Sequence, residues 1–287
     1  MKPPPFRYVR PSSVDEALAA LSEHGDEAKV IAGGQSLVPM MNLRLARPAV
    51  LVDINTLPLD DVHVEDDRLR LGATVRQSRL IADERIGAAV PLLSRCARFI
   101  AHPAIRTRGT VCGSLCHADP TAELPLASVL LGGRVQLSST RGTREVEADR
   151  FFVGAFTTTV EPDELVVGVT FPVERDDARV SFVEISERAG DFALAAVAAR
   201  VTLSNGALDD VAIGVAGGGA APVRATAAED LLAGAEPSAE ALRQAASVAV
   251  DGVEPAGDVH ASAGFRRRLL GVMVERGLQE AIAGAMS

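Results

Sequence analysis

The stretch VIAGGQSLVPMMNLR, residues 30–44, places an apolar strand, two glycines and a Gln-Ser pair directly before a helix-like run. Gly33-Gly34 admits two readings. Glycine adopts left-handed dihedrals without steric cost, so the pair can be a sharp turn. Bare backbone N–H groups at a helix start also make a cradle for phosphate. The flanks set the local fold. Upstream, PSSVDEALAALSEHG reads as a helix: Ser12 or Ser13 caps it, Asp15 and Glu16 suit its first turn, Val14, Leu18 and Leu21 form one stripe, and Gly25 ends it. Downstream, AVLVDI is a continuous apolar strand of the kind covered on both faces. Residues 6–55 therefore read as a small α/β unit.

A second segment of the same design follows at IRTRGTVCGSLCHADPTAELP, residues 105–125. Gly109, Thr110, Gly113 and Ser114 supply N–H and O–H donors at a strand-to-helix turn. Two such turns on adjacent subdomains can hold a diphosphate from both sides, which suits a dinucleotide. Neither is a GxGxxG fingerprint with an acidic residue about twenty positions on, and neither is a GxxxxGK[ST] loop. On spacing alone, phosphate cradle and ordinary glycine turns both stay open.

From LRLGATV, a strand, the pattern restarts with a helix over 76–83 and a longer one around AAVPLLSRCARFIA, where Leu92, Leu93, Cys96, Phe99 and Ile100 fall at helical spacing. RVQLSS, REVEA and ELVVGVTFP read as strands. Pro172 and VERDDARV mark the best domain boundary. Beyond it VSFVEIS is strand-like, and VAARVTLSNGALDDVAIGVAG is a hairpin about Asn205-Gly206 whose turn length is left open. Helices are expected over 225–233, 238–250 and 262–283, giving an α+β part with helices on one face of a hairpin sheet.

Composition narrows the function classes. A chain of 287 residues suits two domains or one with subdomains. The net charge of −9 speaks against nucleic-acid or anionic-membrane partners. No apolar run reaches the ~18 residues of a membrane span, and MKPPPFRYVRPSS has no apolar signal core. Cys96, Cys112 and Cys116 form no disulfide framework, so a cytoplasmic location is the expectation. They also fall short of the Cys₄ set of an iron–sulfur cluster. Cys112-x-x-x-Cys116 with His117 falls short of the four ligands of a structural zinc, so no metal is expected.

Three segments, AGGQSLVPMMNLRLARPAVLVDI, HPAIRTRGTVCGSLCHADPTAELP and ERAGDFALAAVA, resemble in order and spacing the flavin subunit of the molybdenum hydroxylases. This is the xanthine dehydrogenase and carbon monoxide dehydrogenase family; medium subunits of aromatic N-heterocycle or ketone hydroxylases look most similar. The resemblance spans essentially the whole chain. It implies an α+β fold: a PCMH-type FAD-binding domain over 1–176, in subdomains of about 1–57 and 58–176, then a smaller α+β C-terminal domain over 177–287. FAD is the implied cofactor. Ala32, Gly33, Gly34, Gln35, Ser36 and Leu37 would wrap its diphosphate, with Thr110, Val111, Cys112, Gly113 and Ser114 on the other side. Asp119 and Glu123 match acidic positions for ribityl or ribose hydroxyls, and His117 falls within the cofactor-binding segment. Asp191-Phe192 matches the segment at the flavin ring, and Lys29 the basic position before the first turn. The implied task is an electron relay: a molybdopterin-binding large subunit oxidises substrate, a [2Fe-2S] small subunit carries electrons, and this chain passes them to NAD⁺, a quinone or O₂. No catalytic acid or base is expected on this chain.

Three positions depart from the family pattern. Cys112 stands where a glycine is usual, Gln35 where the carbon monoxide enzymes carry His, and Glu187 where a basic residue is common. They define two rivals. One is a free-standing FAD-dependent oxidase or dehydrogenase acting directly on a small molecule, with His117 or Glu184 as base. The other is a flavin-free scaffold in which Cys112 closes the cradle.

Overall fold

The computed structural model describes residues 2–65 and 67–286. Its first unit runs β1 (Arg7–Val9), α1 (Val14–His24), β2 (Ala28–Ile31), α2 (Leu37–Asn42) and β3 (Val50–Asp53). The strands form a parallel sheet in the order β1-β3-β2, so the apolar β3 is central and Val50, Leu51 and Val52 are buried. Ser13 is the cap of α1: its hydroxyl accepts the Glu16 N–H at 3.1 Å, and the Glu16 carboxylate accepts the Ser12 N–H at 2.8 Å. Pro39 lies in the first turn of α2, where its missing N–H costs nothing.

The second unit runs β4 (Val62–Glu65), β5 (Arg68–Gly72), α3 (Arg79–Ala82), α4 (Glu84–Ala89), α5 (Pro91–Ala97), α6 (Pro103–Arg106), α7 (Val111–His117), α8 (Glu123–Leu130), β6 (Arg134–Ser139), β7 (Gly142–Glu147), α9 (Ala148–Phe151), β8 (Phe152–Gly154), β9 (Thr157–Thr158) and β10 (Leu165–Pro172). A five-stranded antiparallel sheet in the order β4-β5-β10-β6-β7 is its floor. Two helices are shorter than their periodicity predicts. The helix expected over 76–83 begins only at Arg79, because Arg76 bridges to Thr110 and the Gln77 and Ser78 N–H groups donate to the Gly109 and Arg106 carbonyls at 2.9 and 3.0 Å. The helix containing Cys96 stops at Ala97, so Phe99 and Ile100 belong to a bend in which Ala101 has φ 37°.

The third unit runs β11 (Arg179–Ser186), β12 (Ala193–Ser204), β13 (Ala207–Ala216), β14 (Val223–Arg224), α10 (Thr226–Leu232), α11 (Ala239–Asp251) and α12 (Ala263–Met286). Asn205 and Gly206, at φ 51° and 83°, close β12 onto β13 as a two-residue turn between the Ser204–Ala207 pair. The helices expected on one face are there, α12 along β12 and β11, α10 against β13, and α11 packed on both helices. The other face is covered as well. Even-numbered Phe182, Ala196, Ala198, Ala212 and Ala216 pack into the core of the second unit against α5 and α8, while odd-numbered Val183, Val197, Ala199 and Ile213 face the C-terminal helices. Burial on both faces explains why the first part of β12, residues 193–199, reads as an unbroken apolar run. Among the described residues no helix is long and apolar enough to cross a membrane.

Candidate functional site

The two glycine turns meet. A Cβ on Gly33 would collide with the Arg108 carbonyl and lie 2.8 Å from the Gly109 Cα, so the residue is bare because the second segment lies against it. Gly34 has φ 71°, which turns the chain from β2 into α2. Beyond it the backbone is open: among the described residues no acceptor is found for the N–H groups of Gly33, Gly34, Gln35, Ser36 and Leu37. Gln35 folds back, donating from Nε2 to the Gly33 carbonyl at 2.9 Å. Five adjacent, half-buried donors thus lie at the end of a strand and the start of a helix, the arrangement of backbone N–H groups that can receive an anion.

The second turn differs from its expected form. It does not follow a strand; it joins α6 to α7, and Thr110 is the N-cap of α7. The Thr110 hydroxyl accepts the Gly113 N–H at 3.1 Å, and the Val111 N–H donates to Val75 at 2.9 Å. The open donors here are the N–H groups of Thr110 and Cys112 and the Ser114 hydroxyl. Cys112 lies within α7 and is buried, so its Cβ needs no left-handed backbone. Cys116, one helical turn on, is exposed. No group of three or more His, Cys, Asp or Glu side chains among the described residues is placed to hold a metal.

A polar strap that no local sequence pattern announces ties the turns together. Tyr8 donates to Asp53, Asp53 accepts the Asn55 backbone N–H at 2.9 Å, and Asn55 Nδ2 donates to the Ala32 carbonyl at 2.8 Å. Arg76 closes it, donating to Asn55 Oδ1 at 2.7 Å and to the Arg108 carbonyl. A hollow of about 380 Å³ lined by Asn55, Asp60, Thr74, Arg76 and Arg79 lies beside the strap. A larger one, about 450 Å³ around residues 79–85, contains none of the expected site residues. Gln77 Oε1 is buried without a partner beside Gly109, leaving an uncommitted amide at the junction.

The acidic positions follow α7. Asp119 is buried and its Oδ1 accepts the Thr121 N–H and hydroxyl at 2.9 and 2.7 Å. Glu123 is the first residue of α8; burial pushes its carboxyl up to about 7. His117 packs against Phe156 in a tilted arrangement with centroids 5.1 Å apart, and burial pulls its imidazole below the usual value. Asp191 and Phe192 are exposed, Phe192 at 75%, on the loop entering β12. That loop is anchored to the bend after α5, for a Cβ on Gly190 (φ 88°) would lie 3.0 Å from the His102 ring and 3.2 Å from the Ala101 carbonyl. Lys29 is exposed on β2 and outside the turn, and Glu187 pairs with His260 at 2.9 Å. Glu184, on β11, is pushed up to about 8 by burial and by the Glu123 charge.

The donor set fits a diphosphate: open N–H groups on two apposed turns, with hydroxyls and carboxyls where sugar hydroxyls would follow. Two family models match the chain, the FAD binding domain in molybdopterin dehydrogenase over residues 4–174 and the CO dehydrogenase flavoprotein C-terminal domain over residues 180–281. The chain is 41% identical over 284 residues to the 6-hydroxypseudooxynicotine dehydrogenase complex subunit alpha of Paenarthrobacter nicotinovorans, covering 98% of this chain and 96% of that one. It is 34% identical over 284 residues to the carbon monoxide dehydrogenase medium chain of Hydrogenophaga pseudoflava, covering 99% of each. Its structure superposes on a chain of quinoline 2-oxidoreductase from Pseudomonas putida 86 with a TM-score of 0.96 at 34% identity, covering 100% of both chains.

Proposed function

Because the chain belongs to the FAD-binding medium subunits of the molybdenum hydroxylase family, we propose that it takes electrons from an iron–sulfur partner and passes them through FAD to an external acceptor. It is an FAD-dependent oxidoreductase subunit, and FAD supplies its redox chemistry. The observation that carries the reading is the apposition of Gly33 and Arg108–Gly109, which sets five open N–H groups opposite a second turn.

In this reading Ala32, Gly33, Gly34, Gln35, Ser36 and Leu37 hold the diphosphate from one side. Thr110, Cys112 and Ser114 hold it from the other, with Val111 and Gly113 shaping the turn through their internal bonds. Asp119 and Glu123 accept from sugar hydroxyls, and His117 borders the cleft beside them. Asp191 and Phe192 stand at the ring, where an exposed aromatic side chain is available to stack. Lys29 adds positive charge near the first turn. A molybdopterin-binding large subunit and a [2Fe-2S] small subunit complete the complex, and the large subunit selects the substrate. Relatives named for quinoline and for a nicotine derivative support a nitrogen heterocycle or a related ketone as that substrate. The free thiols Cys96, Cys112 and Cys116 support work in the cytoplasm.

A visible absorption spectrum of the purified chain, taken before and after anaerobic reduction, tests the core of this reading. A flavin spectrum that bleaches, with FAD released on denaturation, supports it. A colourless chain that cannot be reconstituted with FAD overturns it.

A further inference from the structure

The Asp191–Phe192 loop joins β11 to β12, and the ladder pair that closes it is Ser186–Ala193. The register slips there. Ile185 pairs with Ala195 and Ser186 with Ala193, so Leu194 is an extra residue, a bulge directly after the loop. Bulges re-aim the side chains beside them, and the aromatic residue two places ahead is Phe192. The Phe192 ring is 75% exposed and makes no aromatic contact among the described residues, so packing does not hold it. Its position has to come from the backbone on either side.

Both ends of the loop are gripped by the segment that leads into α12. At the exit, Arg266 Nη1 donates to the Leu194 carbonyl at 3.2 Å, and Nη2 donates to Asp258 at 2.6 Å. Arg266 is only 7% exposed, so this guanidinium is committed to the junction. The Asp258 carboxylate also accepts the His260 and Ala261 N–H groups at 2.9 and 3.0 Å. At the entrance, His260 Nδ1 meets Glu187 Oε1 at 2.9 Å. Asp258 therefore joins the two grips. The loop is also seated on the segments that flank the cleft, across the seam between the second and third units. Gly190 rests on Ala101 and His102, just ahead of α6. A Cβ on Gly217 would lie 2.8 Å from the Leu194 carbonyl, and the Gly217 N–H donates at 3.1 Å to the carbonyl of Pro120, the neighbour of Asp119.

We propose that Asp258, His260 and Arg266 are positioning residues for Phe192, gripping its loop at both ends so that the ring is presented to the cleft in one place. That Phe192 stands at a flavin ring rests on the functional reading above; the grip on the loop does not. Ordering the six residues Glu187–Phe192 costs conformational entropy, which contacts at both ends offset before any ligand arrives. Arginine suits the exit. Its planar fork fixes the directions of its donors, so one side chain ties a backbone carbonyl to a carboxylate. None of the three residues needs to touch the ring, because each acts through the loop. A pair serving only the start of α12 would need neither the bond to Leu194 nor the contact with Glu187, which lie 72 and 73 positions away along the chain.

Trypsin reads the grip in the full-length chain without cofactor. Arg188 is exposed within the loop, and cleavage after it requires the loop to open. Arg266→Gln and, independently, His260→Ala are each expected to speed that cut about tenfold, the worth of one hydrogen bond to a charged group. Mass spectrometry follows it as the fragment beginning at Ala189. An unchanged rate in either variant overturns the grip, and the exposed His260→Ala decides alone where Arg266→Gln does not fold. The visible circular dichroism of bound FAD then reads the ring. Both variants are expected to change it, Phe192→Ala to change it likewise, and neither variant to add anything on top of Phe192→Ala. The same change with and without Phe192, or none at all, overturns the positioning role. Failure of the wild-type chain to hold FAD overturns the functional reading and the ring's part in it, while the trypsin rates still decide the grip.

Discussion

At Gly33 a hydrogen stands where any other residue places a carbon, and the Arg108 carbonyl occupies the space. Gly33→Ala therefore has to push the two turns apart. Overpacking of this kind costs about 1–3 kcal/mol, so FAD affinity is expected to fall roughly ten- to a hundredfold, read by equilibrium titration of apoprotein with FAD. Affinity equal to wild type would show that the apposition is not needed for binding. Cys112 carries the opposite expectation. Because it is a buried helical residue and not a member of a left-handed turn, Cys112→Gly loses packing and helix propensity, about 1–2 kcal/mol. A lower Tm with FAD affinity retained is the expected result; tighter FAD binding would mean that the Cβ crowds the ligand. At this scale the glycines were legible in the sequence, but their cause was only half legible. Phosphate access and backbone contact both demand glycine, and only the neighbour across the gap distinguishes them. The strap residues Tyr8, Asp53, Asn55 and Arg76 carried no signal, since their partners lie far away along the chain.

Among the elements, α7 shows how a cap does two jobs. The Thr110 hydroxyl satisfies the Gly113 N–H and at the same time holds the turn that faces Gly33. Thr110→Val keeps the volume and removes the acceptor, so a stability loss of about 1 kcal/mol is expected by chemical denaturation, together with weaker FAD retention. A variant as stable as wild type would show that the cap bond carries no net energy. Long periodic elements such as α1, α11 and α12 and the β12–β13 hairpin were legible because their patterns are local. The helix expected over 76–83 was not, because pairing of Arg76, Gln77 and Ser78 with residues 106–110 outcompetes helical propensity, and no local window contains that competitor. The same long-range pairing hid the true character of the second turn, which starts from a helix cap instead of a strand.

For the whole molecule, the change of composition after Pro172 does not separate two cores. Phe182, Ala196, Ala198, Ala212 and Ala216 of the third unit share one hydrophobic cluster with Leu93, Cys96 and Leu126 of the second. Residues 1–176 produced alone would expose the faces of α5 and α8 that the sheet covers, and are expected to aggregate, as size-exclusion chromatography would show. A monomeric, FAD-binding fragment would contradict this. The same seam makes stability pH-dependent. The Glu184 carboxyl is raised from 4.5 unfolded to about 8 folded, so the folded chain binds more protons across that interval. Its favourable contribution is complete below pH 4.5 and is lost as pH rises through about 8. Glu184→Gln removes the titration and is expected to stabilise the protein relative to wild type at pH 8 by about 1–3 kcal/mol, and much less at pH 5. Denaturant midpoints at the two pH values measure it; an equal difference at both would show that the carboxyl is not protonated in the fold. None of this was legible beforehand, because sequence marks Glu184 as one acidic residue in a strand and says nothing of what covers it.

The strap has an optical consequence. The chain contains one tyrosine and no tryptophan, so its protein emission excited beyond the phenylalanine absorption band comes from Tyr8 alone. That phenol donates to Asp53, and through Asn55 it is tied to the carbonyl of Ala32 at the mouth of the first glycine turn. The protein therefore carries its one tyrosine, hydrogen-bonded to a carboxylate, in a strap that ends at the turn where the diphosphate is expected to dock. Cofactor loading should be visible in the intrinsic emission of the unlabelled protein, with Tyr8→Phe as the dark control.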